Sequence, residues 1–167
     1  MPRTDPRIRT ALLSLNPTTK RPAWHGAPTH LGLLRGVSPD AALFRPHPAM
    51  NCIRDVALHV AFWENSGANR LSGDSIRAPF ARRKTGWPKR VNTLTPAQWK
   101  DELRYVTQTH ERLVDIVAGY DPQRLDRPAD PRTGRIAIEL IHGLAEHNLY
   151  HAAQIKMLKR LAKDAKK

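Results

Sequence analysis

A long apolar stripe lies near the C-terminal end of this 167-residue chain. Its members follow one another at steps of four, three, four, four and three residues, and they are Leu140, Leu144, His147, His151, Ile155 and Leu158. This spacing places every member on one face of an α-helix. Such a face has to be buried against other elements, so the stripe predicts a helical core that contains two histidines.

The two histidines are the polar members of that face. His147 and His151 lie four residues apart, so their imidazoles leave the helix roughly 6 Å apart along its axis. A polar group in an apolar interior costs roughly 2–7 kcal/mol unless a partner satisfies it. A divalent metal is one suitable partner, because neutral imidazole binds Zn, Ni, Fe and Cu. Ordinary hydrogen bonds to side chains or water are the alternative, and the pair alone leaves both open.

Helical periodicity also appears in three earlier segments. The predicted helices cover about residues 23–36, 53–71 and 96–119, and a fourth runs from 133–135 to beyond 161. Thr95, Pro96 and Gln98 match an N-cap, a first-turn proline and a capping-box glutamine, and Asn51 is a plausible cap for the second helix. No strand pattern competes. The prediction is an all-α fold, a four-helix bundle with long connections over residues 23–162.

The net charge of +13 is concentrated outside this predicted bundle body. It lies in a Pro- and Arg-rich N-terminal segment, in a loop at 77–90 with six basic residues and no acidic one, and at the C-terminus. We expect residues 1–22 to form a flexible arm, with at most a short helix around Ile8–Leu15, and residues 163–167 to form a lysine-rich tail. Such segments are usually solvated, so nucleic-acid binding is possible but not favoured.

Several classes of protein are excluded or disfavoured by composition. The single cysteine, Cys52, excludes an intramolecular disulfide and a multi-cysteine metal site, and it fits a reducing cytoplasm. The sequence has no apolar run of about 18 residues that would predict a membrane span. The first residues do not resemble a secretory signal. We therefore expect a cytoplasmic protein without a membrane contact.

A third inward histidine is predicted on the second helix. Cys52, Val56, His59 and Trp63 follow steps of four, three and four, so His59 lies on a stripe that faces the core. Facing helices of a bundle build metal sites from such side chains. His59 can therefore join the histidine pair. A set of three histidines leaves coordination positions open, which is typical of catalytic rather than structural sites.

Two segments together resemble the DinB-like (DinB/YfiT) superfamily of four-helix-bundle metalloenzymes. They are Leu58-His59-Val60-Ala61-Phe62-Trp63-Glu64 and Glu146-His147-Asn148-Leu149-Tyr150-His151-Ala152-Ala153-Gln154-Ile155. Trp24-His25-Gly26-Ala27-Pro28 and Leu125-Asp126-Arg127-Pro128 also look like family segments. The resemblance covers residues 23–162. It implies that His59, His147 and His151 bind a divalent metal, most often described as Zn or Ni.

The resemblance also implies a reaction class. Characterised relatives include transferases and isomerases that use a low-molecular-weight thiol, and bundles of this kind commonly form homodimers. The expected function is a metal-dependent enzyme of this type acting on a small-molecule substrate, with the metal activating a thiol or, in hydrolysis, water. The alternative is a non-catalytic binding or regulatory bundle that contacts nucleic acid or another anionic partner through its basic loop and tails.

The remaining candidates have supporting or no roles. Gln154, three residues after His151, and His110, on the inward stripe of the third helix, are candidates for orienting a ligand, water or substrate. Glu64 is about 140° from His59 around its helix, so we expect it at the surface or the helix end. We expect Cys52 to pack as a small buried apolar residue. His25 and His30 are candidates for the mouth of the pocket, and we expect neither His142 nor Glu146 to be a metal ligand. We expect the basic loop not to touch the ligands.

Overall fold

The computed structural model describes residues 5–18, 20–22, 26, 28–130 and 132–165. Its helices are α1 (Pro6–Leu15), α2 (His30–Leu34), α3 (Pro39–Leu43), α4 (Ile53–Ser72), α5 (Pro96–Ala118) and α6 (Ala137–Asp164). Short 3₁₀ turns occupy Lys84–Gly86 and Pro122–Arg124, and strands β1 (Pro128–Asp130) and β2 (Arg135–Ile136) form an antiparallel pair. The predicted all-α class is confirmed. The two strands are too short to show an alternating pattern in the sequence.

The long helices α4, α5 and α6 form the body of the molecule. One apolar cluster joins the end of α4 to the end of α5 and the beginning of α6, through Leu71, Val117 and Leu140. A second cluster joins the opposite ends through Ile53, Trp99 and Leu158. Helices α4 and α5 are therefore parallel, and α6 is antiparallel to both. The connection between α4 and α5 has to return along the length of the bundle.

The fourth position of the bundle is filled by two separate helices. Both α1 and α2 pack against α5 and α6. Helix α1 contributes Ile8 and Leu15 to one apolar cluster, whereas α2 contributes Leu34 to the other. The position is therefore shared along the bundle axis, with α1 at one end and α2 at the other.

This arrangement differs from the single first helix that the sequence predicts at 23–36. Helix α2 begins only after Thr29, whose side chain accepts a hydrogen bond from the Gly32 backbone N–H at 3.0 Å. Pro28 precedes this cap, and a cap of this kind favours starting the helix there. Residues 23–25 and 27 of the predicted helix lie outside the described residues.

The N-terminal segment also differs from the expected flexible arm. Asp5 caps α1 by accepting a hydrogen bond from the Arg7 backbone N–H at 2.8 Å. Ile8, Ala11 and Leu15 are then buried in the core. The short helix considered around Ile8–Leu15 is therefore present, and its apolar face makes it part of the folded body.

The other two helix starts follow their capping chemistry. Thr95 and Gln98 form the predicted capping box at the start of α5, with hydrogen bonds of 3.2 and 2.9 Å. Cys52 rather than Asn51 occupies the cap position of α4. Among the described residues, no helix has the length and apolar content needed to cross a bilayer.

Candidate metal centre

The three histidines predicted as ligands meet between α4 and α6. The Nε2 atom of His147 lies 3.1 Å from that of His151 and 3.4 Å from that of His59. All three ligand atoms fall within 4.8 Å of one another. His147 and His151 are one helical turn apart on α6, and His59 lies on the inward stripe of α4. The three side chains converge because these two helices face each other in the core.

The hydrogen positions at this cluster suit a cation. The Oε1 atom of Gln154 lies 2.8 Å from Nδ1 of His151, where it accepts the N–H of the ring. In neutral His151 the lone pair is then on Nε2, and it points at the other imidazoles. Nitrogen lone pairs that face one another at about 3 Å repel unless a proton or a cation lies between them. The donor set therefore fits a divalent metal that accepts imidazole.

Burial keeps these imidazoles in the neutral form that a metal requires. It lowers the pKa of His59 to about 3, with the neighbouring His151 and His147 acting in the same direction. Burial and His151 lower the pKa of His147 to about 4. Burial also lowers the pKa of His151, although the hydrogen bond to Gln154 opposes this shift. Protons therefore compete weakly for the three nitrogen atoms at neutral pH.

The connection between α4 and α5 supplies a wall of the site. The ring of Trp87 stacks on His59 with centroids 3.8 Å apart and an angle of 4° between the planes. It also meets His151 edge-on at 5.9 Å. The expectation that the basic loop at 77–90 does not touch the ligands is therefore wrong. Sequence periodicity carries no signal for such a contact, because it depends on how an irregular connection returns along the bundle.

A small hairpin-like turn holds Trp87 in place. The Arg83 backbone N–H donates to the Trp87 carbonyl at 2.7 Å, and the Arg83 side chain donates to the Pro88 carbonyl at 2.9 Å. Gly86 has a positive φ of 78° and its Cα lies against the Phe62 ring of α4. A side chain at residue 86 would overlap that ring, so glycine lets the turn approach the helix.

An open cavity of about 460 Å³ is lined by two of the residues that contact the histidines. Trp87 and Gln154 line it and link it to the metal ligands. Its other walls are mainly apolar, and they are Ala49, Met50, Asn51, Val56, Met157, Leu158 and Leu161. This composition fits a small ligand with an apolar body and one or two polar groups.

A second group of polar side chains is buried farther into the bundle. Glu64 of α4 is fully buried, and its Oε1 atom lies 2.7 Å from Nδ1 of His110 and accepts a hydrogen bond from Asn148 at 2.7 Å. The Nε2 atom of His30 is 3.9 Å from the same oxygen. We call His30, Glu64, His110 and Asn148 the inner cluster. Four different helices contribute one member each.

The inner cluster corrects the expected surface position of Glu64. Its direction is about 140° from His59, as the sequence indicates. However, α4 is buried on almost all sides, so the opposite direction leads to α5 rather than to solvent. His110 was a candidate for orienting a group at the metal, and the structure places it against Glu64 instead. His30 lies in the same cluster and does not line the 460 Å³ cavity next to the metal site.

Asn148 is the member of the inner cluster that sequence reasoning missed. It follows Ile141 and Ala145 and precedes Ala152 at steps of four, three and four, and all four are buried. This second buried stripe runs beside the stripe of the metal ligands. A wider reading of the apolar face of α6 could therefore have indicated Asn148.

The remaining candidates have the expected placements where they are described. Cys52 is buried, and burial raises the pKa of its thiol. Glu146 is exposed, and His142 is half-buried and outside both clusters. His25 lies outside the described residues.

Comparison with known families agrees with the resemblance in the sequence. A family model described as the DinB superfamily matches residues 29–155, which is most of the chain and includes all three converging histidines. A search of curated proteins finds no match to the chain.

Proposed function

The chain belongs to the DinB superfamily, and we propose that it is a divalent-metal-dependent enzyme whose metal is held by His59, His147 and His151. The convergence of three Nε2 atoms beside an open cavity carries this proposal. Three imidazoles suit several divalent metals, and Zn or Ni is the one that the resemblance to the superfamily implies. A cation held there would act as a Lewis acid and lower the pKa of a bound thiol or water.

The other residues of the site have roles that follow from their contacts. Gln154 fixes the ring orientation of His151 through the 2.8 Å contact with its Nδ1 atom. Trp87 covers the face of His59 and excludes water from that side. The apolar cavity walls bind the body of a small substrate, and Asn51 and Gln154 offer the polar contacts that orient it.

The reaction that we propose is the transfer or isomerisation of a small electrophile by a low-molecular-weight thiol. The support is the family membership together with the mainly apolar cavity of about 460 Å³ next to the site. Hydrolysis would use the same ligands. The two reactions differ in whether a thiol is consumed or required.

Metal analysis of matched variants tests the ligand set. Each of His59→Ala, His147→Ala and His151→Ala should lose one equivalent of metal relative to the purified wild type. His142→Ala is the control, because His142 lies on the same helix as two ligands but outside the site. Unchanged metal content in all three ligand variants would overturn the proposal.

Thiol chemistry needs a separate test. Metal-loaded protein should accelerate the reaction of a small thiol with an apolar electrophile, and the loss of free thiol measures the rate. His147→Ala should abolish the acceleration. If the protein binds metal but does not accelerate any thiol reaction, the metal site stands and the thiol-dependent class is wrong.

The alternative of an anion-binding bundle has less support from the contacts. Three basic side chains of the 77–90 loop hold the loop on the body. Arg83 donates to Asn51, Arg90 donates to the Pro48 and Ala49 carbonyls, and Arg82 lies over the Phe62 ring. Nucleic-acid binding that weakens steeply with added salt would favour the alternative. The homodimer stays a prediction, which light scattering of the purified protein would test.

A further inference from the structure

The inner cluster contains a carboxylate that is enclosed on all sides. Glu64 has no accessible surface, and within the described residues neither lysine nor arginine pairs with it. The groups that face it are His30 from α2, His110 from α5 and Asn148 from α6. An ionised carboxylate in such surroundings is costly unless a positive charge compensates it.

The surroundings nevertheless favour the ionised form of Glu64. Burial alone would raise the pKa of Glu64, but His30, His110 and Asn148 outweigh burial and lower it. Burial also lowers the pKa of His30 to about 4, against the attraction of Glu64. A cation bound within the cluster would compensate the charge of the carboxylate.

We propose that His30, Glu64 and His110 bind a second divalent transition-metal cation, separate from the one held by His59, His147 and His151. One ligand atom from each of the three lies within 4.8 Å of the others. Two imidazoles and a carboxylate, with a nearby amide oxygen, suit Fe²⁺, Co²⁺, Ni²⁺ or Zn²⁺ better than Ca²⁺ or Mg²⁺, which prefer oxygen ligands alone.

Buried polar atoms of the cluster are available to bind a cation. Nε2 of His30, Oε2 of Glu64 and Oδ1 of Asn148 are buried and have no hydrogen-bond partner among the described residues. Native proteins rarely leave such atoms unpaired, and an ion or a water molecule is a common partner. All three atoms can donate a lone pair to a metal.

A small cavity adjoins the inner cluster. It has a volume of about 20 Å³, and both His30 and Asn148 line it, whereas Glu64 and His110 do not. A cavity of that size holds about one water molecule, which could complete the coordination of a metal on the side of His30. Thr29, Pro28 and Leu149 are among the other lining residues, so the cavity lies where α2 meets α6.

The two proposed sites use different residues and can be tested independently. Glu64 raises the pKa of His147 and His30 lowers it, so the two clusters are electrostatic neighbours. No side chain belongs to both groups of ligands. The second site therefore does not depend on the proposed enzymatic function, and either site can fail alone.

Titration of the metal-free protein with Co²⁺ is the experiment, because Co²⁺ ligands can be followed by visible absorption as well as by stoichiometry. Wild type should bind two equivalents. Glu64→Gln, which keeps the shape and hydrogen bonding of the side chain, should bind one and keep the absorption of the tri-histidine site. His147→Ala should bind one and keep the absorption of the inner site.

Two controls make the titration decisive. His142→Ala should bind two equivalents. His110→Gln, which removes another ligand of the inner site, should repeat the result of Glu64→Gln, and it takes the place of Glu64→Gln if circular dichroism shows that Glu64→Gln folds poorly. A single equivalent in wild type that Glu64→Gln retains would overturn the second site and show that the inner cluster is a hydrogen-bonded network. Loss of metal only in Glu64→Gln would overturn the tri-histidine site instead.

Discussion

His151 combines the two requirements of a metal ligand, a free lone pair and a fixed ring. Its Nε2 atom faces His147 at 3.1 Å, and its Nδ1 atom is bound to Gln154 at 2.8 Å. The second contact orients the first, because the ring can present Nε2 to a metal only while Nδ1 carries the hydrogen. A residue outside the ligand set therefore helps to determine its affinity.

Replacing Gln154 by leucine should weaken metal binding without removing a ligand. Loss of a hydrogen-bond acceptor behind a ligating histidine typically lowers metal affinity by about 10–100-fold. Competition with a chelator of known affinity measures the change. Gln154→Glu keeps an acceptor oxygen, so it should retain most of the affinity. Equal affinities for Gln154→Leu and wild type would show that the contact has no such role.

The stability of the metal-free protein should fall as the pH falls from 7.5 to 5.5. Burial lowers the pKa values of His30, His59 and His147 from 6.5 to about 4, 3 and 4. Between the folded-state and the unfolded-state pKa of each histidine, the unfolded chain binds a proton that the folded chain does not. Unfolding therefore becomes more favourable as the pH falls. Stability is thus fully present above about pH 6.5 and decreases below it.

Thermal unfolding of the metal-free protein at the two pH values measures this effect. A variant with His59→Gln and His147→Gln should show a smaller decrease, because two of the neutral imidazoles are gone. An unfolding temperature that does not change, or rises, between pH 7.5 and 5.5 would contradict the prediction.

Residues of the site were predictable only where a regular pattern carries them. His59, His147 and His151 lie on helical stripes, and helical geometry alone brings such stripes together. The position of Glu64 was mispredicted because helical geometry gives the direction of its side chain around α4 but does not show that α5 lies in that direction. Trp87 was unpredictable for a stronger reason, since its place depends on the path of a loop.

At the scale of elements, the connection from residue 73 to residue 95 is more than a link. It returns along the parallel helices α4 and α5, and it places a tight turn against Phe62 and Trp87 against His59. Its basic side chains hold it there through carbonyl oxygens and an aromatic ring. The charge that suggested an anionic partner thus has a structural use.

Gly86→Ala should destabilise the protein more than Gly134→Ala does. Both glycines have a positive φ, 78° and 67°, and an L-residue in this conformation costs roughly 1–2 kcal/mol. A methyl group at residue 86 also meets the Phe62 ring, whereas a methyl group at residue 134 has no neighbour within 4 Å among the described residues, apart from the adjacent ones. Overpacking adds about 1–3 kcal/mol at the first site alone. Denaturant unfolding of both variants measures the difference, and equal losses would contradict the predicted clash.

Helices with an uninterrupted stripe were predicted within a few residues, and the interrupted one was not. Helices α5 and α6 each bury a continuous face, and α4 is buried on almost all sides. Helix α5 also begins at a capping box. The first bundle position has no such continuity. Thr29 starts a short new helix, and the apolar face that completes the position comes from α1, which a charged and proline-rich sequence obscured.

At the scale of the whole molecule, the bundle is closed by two segments distant in sequence. Helix α1 seals the end that contains the β1–β2 pair, and α2 seals the end that contains α3. The inner cluster lies between them, with His30 entering from α2. The integrity of the fold therefore depends on residues that precede the region matched to the family.

Ile8→Ala should destabilise the whole molecule by about 2–4 kcal/mol, as expected for deletion of buried methyl groups. Ile8 is 2% exposed and packs in the cluster with Leu71, Val117 and Leu140. Arg9→Ala changes the next residue, which is exposed, and should leave stability almost unchanged. Denaturant unfolding measures both. If Ile8→Ala has no effect, the N-terminal segment is an arm and not part of the core.

The stacking of Trp87 on His59 also gives the protein an optical reporter. A cation with partly filled d orbitals, such as Ni²⁺ or Co²⁺, quenches an indole held 3.8 Å from one of its ligands. Metal loading should therefore decrease the tryptophan emission. Trp87→Phe should remove a large part of the decrease, and the remainder should come from Trp63, whose ring centroid lies 6.4 Å from that of His59. Trp99→Phe should keep the whole decrease, because the Trp99 indole is bound to the Val37 carbonyl at the α2–α3 end of the bundle. Occupancy of the site can then be read in real time from intrinsic fluorescence, without any label.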